Sequence, residues 1–396
     1  MNIIIAPDSF KGTLSSQQII EIISTQAAHH FPDCHITGIP MADGGEGTVA
    51  AILQSRKGQL QTVTVSNPLF EPVAATYGIF DSGEFFHPDG VPDWDNFSGS
   101  GAIIEMAAAS GITLIPSAPG AALITSSYGT GELIADALKK GCRDITIAIG
   151  GSATNDGGCG AMAALGFRFL DKEGNDVKPT GENLRKVHHI DTSSTMTEIK
   201  DASFTVMCDV QNPFVGIDGA TYVYGPQKGA LKEHMELLEE GMIHFAEVIK
   251  KDLGKDVADL PGAGAAGGLG GALYAFLGGH LKSGIETMLD LVCFDRLASH
   301  ADLIFTGEGM ADGQSAKGKV LSGIARRAKR ANVPVIAIVG GMKPEAKQLY
   351  DLGITAFVPA LNQAMCLEEA LLHAEESLSD AAERIFLLLK TGKKLE

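Results

Sequence analysis

Met1-Asn2-Ile3-Ile4-Ile5-Ala6-Pro7-Asp8-Ser9-Phe10-Lys11-Gly12-Thr13 opens the chain, and the reading of this stretch decides the fold. Ile3 to Ala6 is an apolar run that stops at Pro7, as a strand buried on both faces does. Ser15-Ser16-Gln17-Gln18 has the composition of a helix start, and a helical pattern follows to about His29. His35 to Pro40 reads as a second strand. Strand, helix, strand is the repeating unit of parallel α/β architecture.

The C-terminal third uses the same grammar. Leu303-Ile304-Phe305 reads as a strand ending in a polar glycine loop, Val320 to Ala331 as a helix, and Pro334 to Val339 as a strand. Ala356 to Val358 is a further strand, and Glu368 to Lys390 a closing amphipathic helix. The middle differs. Leu60 to Phe80, Asp144 to Ile149, Phe204 to Met207 and Tyr222 to Tyr224 read as strands, with helices near 131–140, 160–165 and 231–253. Wound units at both ends imply a discontinuous domain. The expectation is a two-domain α/β protein. Residues 1–66 plus 290–396 form a Rossmann- or flavodoxin-like parallel-sheet domain, and 67–289 form a mixed α/β domain inserted into it. A ligand site then falls in the cleft between them. The segment from Ser82 to Ser100 reads as a surface loop.

The 396 residues carry a formal net charge of −17, which disfavours nucleic acid and anionic membrane as partners. An anionic substrate therefore needs local positive charge. The six cysteines show no CxxC spacing and read as reduced thiols of a cytoplasmic protein. The start lacks the basic and apolar regions of a signal peptide. The uncharged stretch from Leu260 to Gly279 holds eight glycines, so it reads as a loop entering a tightly packed helix rather than as a membrane span.

Three loops carry the chemistry. Asp8-Ser9-Phe10-Lys11 follows the first strand, at the sheet end where open α/β folds bind ligands. Ala42-Asp43-Gly44-Gly45-Glu46-Gly47-Thr48 follows the second, with two carboxylates among glycines that leave them sterically open. Gly150-Gly151-Ser152-Ala153-Thr154-Asn155-Asp156-Gly157-Gly158 follows the strand 144–149 and opens a helix, a setting that favours an anion. Each also reads as an ordinary capped turn, but their density of glycine and small polar groups favours a site. Lys228, in Gly225-Pro226-Gln227-Lys228-Gly229, reads alone as a surface lysine. Gly262 to Gly267 fits GxGxxG, yet no strand precedes it. Gly313 to Lys319 fits GxxxxGK, but Val320 stands where a P-loop has Ser or Thr.

Taken in order, these motifs resemble the glycerate kinases of the first bacterial type. The resemblance also rests on Glu105 to Gly111, Tyr128 to Leu133, Cys208-Asp209-Val210 with Asn212-Pro213, Gly225 to Ala230, Pro261 to Gly271, and Thr306 to Gly309 with Asp312 and Gln314. It spans nearly the whole chain. It implies ATP-dependent phosphorylation of D-glycerate with Mg²⁺, at the 2-hydroxyl. The 3-hydroxyl or a related small hydroxy acid is the alternative, and a homodimer is an open option. The site residues it suggests are catalytic Asp156, Asp43, Lys11 and Asp8, with Asp156 or Asp43 as the base. Ser9, Gly44, Gly45, Glu46, Gly151, Ser152, Thr154, Asn155, Asn212, Lys228, Gly267, Gly268, Lys317 and Lys319 would hold substrate or phosphate. Asp209, Glu308 and Asp312 would hold metal or orient substrate. Two features depart from the family. Met310 replaces an arginine after Thr-Gly-Glu-Gly, and the segment 83–99 is long. Losing that arginine removes a bidentate contact, for which Lys317 or Lys319 could compensate. The rival readings are a nicotinamide-dependent oxidoreductase, resting on 262–267, and a non-catalytic binding protein.

Overall fold

The computed structural model describes residues 1–42, 44–45, 47–56, 58–81, 100–116 and 118–393. Asp43, Glu46 and the 83–99 segment, singled out above, lie outside the described residues. The strands are β1 (Asn2–Ile5), β2 (His35–Gly38), β3 (Gly58–Ser66), β4 (Pro72–Phe80), β5 (Gly101–Glu105), β6 (Asp144–Ala148) and β7 (Arg168–Leu170). They continue with β8 (His189–Asp191), β9 (Ser203–Met207), β10 (His280–Lys282), β11 (Leu303–Ala311), β12 (Val335–Met342) and β13 (Ala356–Pro359).

One sheet is five-stranded and wholly parallel, in the order β13-β12-β11-β1-β2. The chain steps from β1 to β2 on one side and returns to β11 on the other. This is the flavodoxin-like order, and its reversal point lies between β1 and β11. The helix Ser16–His30 starts on a capping box, in which Ser15 Oγ accepts from Gln18 N and Ser15 N donates to Gln18 Oε1. Its Ile19, Ile23 and Ala27 share a core with Ile3 and Ile5 of β1 and with Leu378, Ile385 and Phe386 of the closing helix.

The second sheet has six strands, in the order β10-β9-β6-β5-β4-β3. β3–β4 and β4–β5 are antiparallel; the remaining neighbours are parallel. The two sheets share a core in which Ile4 and Ala6 meet Ile103, Ala148 and Met207. β3 pairs with β4 along its whole length. The chain therefore crosses to the second sheet before residue 58, ahead of the expected boundary at 66.

Three local expectations are corrected. Residues 220–224 form a short helix, Ala220–Tyr224, rather than a strand. β11 runs on through Thr306-Gly307-Glu308, because β12 beside it supplies backbone partners as far as Met342. The closing helix is two, Leu367–Leu372 and Ala374–Gly392. Residues 262–268 are a turn with no strand before them, and they enter the buried helix Leu269–Leu277. The dinucleotide reading of Gly262 to Gly267 thus loses its structural context. Among the described residues no helix is long and apolar enough to cross a membrane.

Candidate active site

At the reversal point of the parallel sheet, β1 and β11 deliver acidic side chains. Asp8 N donates to Gly307 O (2.9 Å), and Ser9 N donates to the Asp8 carboxylate (2.7 Å). Glu308 is buried, and burial raises its carboxyl to about 7, helped by the nearby charges of Asp8 and Asp312. Its Oε1 has no hydrogen-bond partner. Asp312 accepts from Gln314 N (2.8 Å), which holds it below the usual carboxylate range. Lys11 is exposed in the turn after Phe10. Met310 is exposed too, at 52%, opposite Gly341 of β12.

The glycine-rich loop after β6 divides into two parts. Gly150, Gly151 and Ser152 form an outer rim, and an added methyl at Gly150 would lie 3.4 Å from Gly44 O. The two glycine loops therefore face each other, although they follow strands of different sheets, β2 and β6. The rest of the loop turns inward. Thr154, Asn155 and Asp156 are fully buried. Asp156 Oδ2 accepts from Ser127 N (2.7 Å), Ser127 Oγ (2.8 Å) and Gly160 N (3.1 Å), and Oδ1 accepts from Gly158 N (3.2 Å). Burial raises its pKa against the lowering effect of these bonds. Asp156, expected as a base, lines neither of the two clefts described below. Ser126 Oγ is a fifth donor (3.4 Å), and a carboxylate with five donors and no exposed surface fastens the loop to the helix Tyr128–Lys139.

Gly267 and Gly268, expected to hold substrate or phosphate, line neither of these two clefts. They sit behind the loop, where Gly157 N donates to Gly267 O (2.9 Å). A methyl on Gly267 would stand 1.9 Å from Thr154 O. Asn212 is also a scaffold group: its Nδ2 donates to Asp218 O (2.8 Å), and its Oδ1 accepts from Tyr224 OH (2.6 Å).

Two clefts adjoin along Cys208-Asp209-Val210, which line both. The smaller, about 420 Å³, brings Gly44, Gly45, Gly151, Ser152 and Lys228 together with Ile112, Tyr224 and Gln227. Lys228 is only 4% exposed and donates to Thr154 O (2.8 Å). Burial pushes its ammonium down to about 7, against the attraction of Asp156. The larger, about 1020 Å³, is lined by Lys282 and Ser283 on one side and by Gln314, Lys317 and Lys319 on the other. Lys319 stands at the N-cap position of the helix Val320–Ala331 without a side-chain capping bond, and Ser283 caps Gly284–Leu291 by accepting from Glu286 N. Asp209 Oδ1 accepts from Gly284 N (2.8 Å).

Sequence reasoning thus found both faces of the cleft but missed Lys282, Ser283, Tyr224 and Gln227. A signal existed for one of these, since Ser283 stands three residues before Glu286 as in a capping box. Asp209, Glu308 and Asp312 were expected to hold metal or orient substrate. Among the described residues no group of three His, Cys, Asp or Glu side chains gathers to hold a metal. Asp209 is on the cleft wall, and neither Glu308 nor Asp312 lines it.

The glycerate kinase family model matches residues 3–390. Glycerate 2-kinase of Escherichia coli (strain K12) is 42% identical over 100% of this chain and 99% of its own length. Glycerate kinase of Bacillus subtilis (strain 168) is 41% identical over the same shares. The crystal structure of a candidate glycerate kinase 2 from Salmonella typhimurium LT2 superposes with a TM-score of 0.86 at 41% identity, covering 100% of this chain and 99% of that one. Ordered motifs, fold and these matches agree: the chain belongs to the glycerate kinase family.

Proposed function

We propose that this protein transfers the γ-phosphoryl group of ATP to the 2-hydroxyl of D-glycerate. The observation that carries the reading is the pair of adjoining clefts with one shared wall at Asp209, which lets two small ligands meet. The name of the Escherichia coli relative, glycerate 2-kinase, supports the 2-hydroxyl. We take the two sheets as two domains, the second inserted in the first, with the clefts between them.

The acceptor oxygen attacks the γ-phosphorus. The bond from that phosphorus to the β-bridging oxygen breaks, its electron pair leaves with ADP, and the hydroxyl proton passes to a carboxylate or to water. Such a reaction asks mainly for positioning and charge neutralisation. Lysines at the cleft supply positive charge in a chain of net charge −17. Mg²⁺ arriving with ATP needs only one or two protein carboxylates, because phosphates and waters fill its other positions. Asp209 fits that modest demand, and the ion would neutralise phosphate charge. With Asp156 buried, Asp43 is the sequence's other candidate for the proton; its neighbours Gly44 and Gly45 line the smaller cleft.

The deciding assay is ADP formation with a panel of short hydroxy acids, read with phosphorus NMR of the product. A 2-phosphoglycerate signal supports the proposal; no turnover with any acid sinks it. Asp43→Asn should lower kcat about 100-fold, as loss of a general base does. A kcat within a few-fold of wild type removes Asp43 from that role. Lys317→Ala and Lys319→Ala should each raise the KM for ATP about tenfold, the share of one charge-assisted contact. An unchanged KM in both would exclude them as replacements for the family arginine at position 310.

A further inference from the structure

We propose that the smaller cleft is the hydroxy-acid subsite, that Lys228 is the residue that binds its carboxylate, and that the larger cleft takes the nucleotide phosphates. This rests on the kinase reading and adds to it which ligand goes where.

The first support is charge matching. Among the described residues lining the smaller cleft, Lys228 is the only basic one. Those lining the larger cleft include Lys282, Lys317 and Lys319. A single lysine suits a ligand with one carboxylate, and three suit a polyphosphate. The second support is size: the larger ligand goes to the cleft of about 1020 Å³, the smaller to that of about 420 Å³. Ile112, Ile149, Ala265 and Ala266 add an apolar wall to the smaller cleft, suited to a compact organic acid and poor for a phosphate chain.

The third support is the state of Lys228 itself. Its side chain is 4% exposed, and its ammonium donates to one neutral carbonyl, Thr154 O. A buried ammonium is costly without an anion beside it. Asp156 attracts it through space, but that carboxylate's own bonds come from Ser126, Ser127, Gly158 and Gly160. Cys208, Asp209 and Tyr224 are the other ionisable groups lining this cleft among the described residues, and burial raises the Cys208 thiol so that it stays neutral. A bound carboxylate supplies the missing counter-charge and holds the lysine protonated. The proton count on binding is therefore a direct signature: at pH 8.5 unliganded Lys228 is mostly neutral, so binding of the acid draws a proton from the buffer.

The test is isothermal titration of the full-length protein with D-glycerate and, separately, with ADP, in buffers of different ionisation enthalpy. Wild type should take up close to one proton with D-glycerate at pH 8.5, and much less at pH 6. Lys228→Met should weaken D-glycerate binding by about 30-fold or more and abolish the uptake, while its affinity for ADP stays within about twofold. Retained ADP binding also reports that the variant is folded; if it does not fold, the wild-type proton count still decides. D-Glycerate binding without proton uptake overturns the proposal and leaves the kinase reading intact, as does a Lys228→Met variant that loses ADP rather than D-glycerate. A wild type that binds neither ligand defeats the kinase reading itself.

Discussion

Asp156→Ala should destabilise the folded protein by about 4 kcal/mol, seen as a fall of several degrees in Tm and a matching shift of the urea midpoint. The substitution strips the acceptor from three buried backbone N–H groups, those of Ser127, Gly158 and Gly160. Each buried donor left unpaired costs about 1–3 kcal/mol. Part of that loss is offset, because the buried carboxylate is itself held at a cost in desolvation. Asp156→Asn separates structure from catalysis. Its amide oxygen can serve Ser127 and Gly160, and only the donor from Gly158 then meets an NH₂ group. The expected loss is about 1–2 kcal/mol, with kcat of the folded variant reduced less than about tenfold. Removal of a general base costs about 100-fold or more. A stable Asp156→Asn protein with kcat lowered that far would restore Asp156 to the chemistry and contradict its placement in the scaffold.

Gly267→Ala should cost about 4 kcal/mol or displace the loop it supports. Gly267 has φ +67, and the added carbon would stand 1.9 Å from Thr154 O and 2.7 Å from Asn155 Cα. Both are backbone atoms, so no rotamer change relieves the overlap. The dihedral alone explains little, since Ala266 beside it already holds φ +54. Gly278 makes the control. Its φ is also +67, and nothing lies within 4 Å of where its side chain would start. Gly278→Ala should cost only the left-handed strain, about 1 kcal/mol. Comparable losses at the two positions, measured by thermal denaturation, would show that strain and not contact sets the cost. Since Thr154 O also receives Lys228, movement of the loop should weaken binding of the acid as well.

Both substitutions fall in segments that read as ligand loops, and this shows where sequence reasoning stops. A glycine in a polar run is required wherever backbones approach closely, and the close neighbour can be a ligand or another strand of the same protein. Gly44, Gly45, Gly150 and Gly151 line a cleft; Gly267 and Gly268 press against Thr154 and Gly157. Spacing along the chain is the same in kind for both. Asp156 and Lys228 form a like pair. One read as an active carboxylate and proves to be a fully buried acceptor, while the other read best as a surface lysine and proves to be a buried cleft cation.

The sequence by itself determined the parallel α/β class, the wound units at both ends and the family. Apolar runs, helix caps and glycine turns are local signals, and an ordered set of motifs is specific even when each member is modest. Only the tertiary structure decided which sheet takes β3, where β11 ends, and which residues of a polar loop face the cleft. The physical reason is that pairing, burial and desolvation depend on atoms contributed by distant segments. The buried ammonium of Lys228 donates to Thr154 O, seventy-four residues away. Asp209, on the shared wall, accepts from Gly284 N across seventy-five.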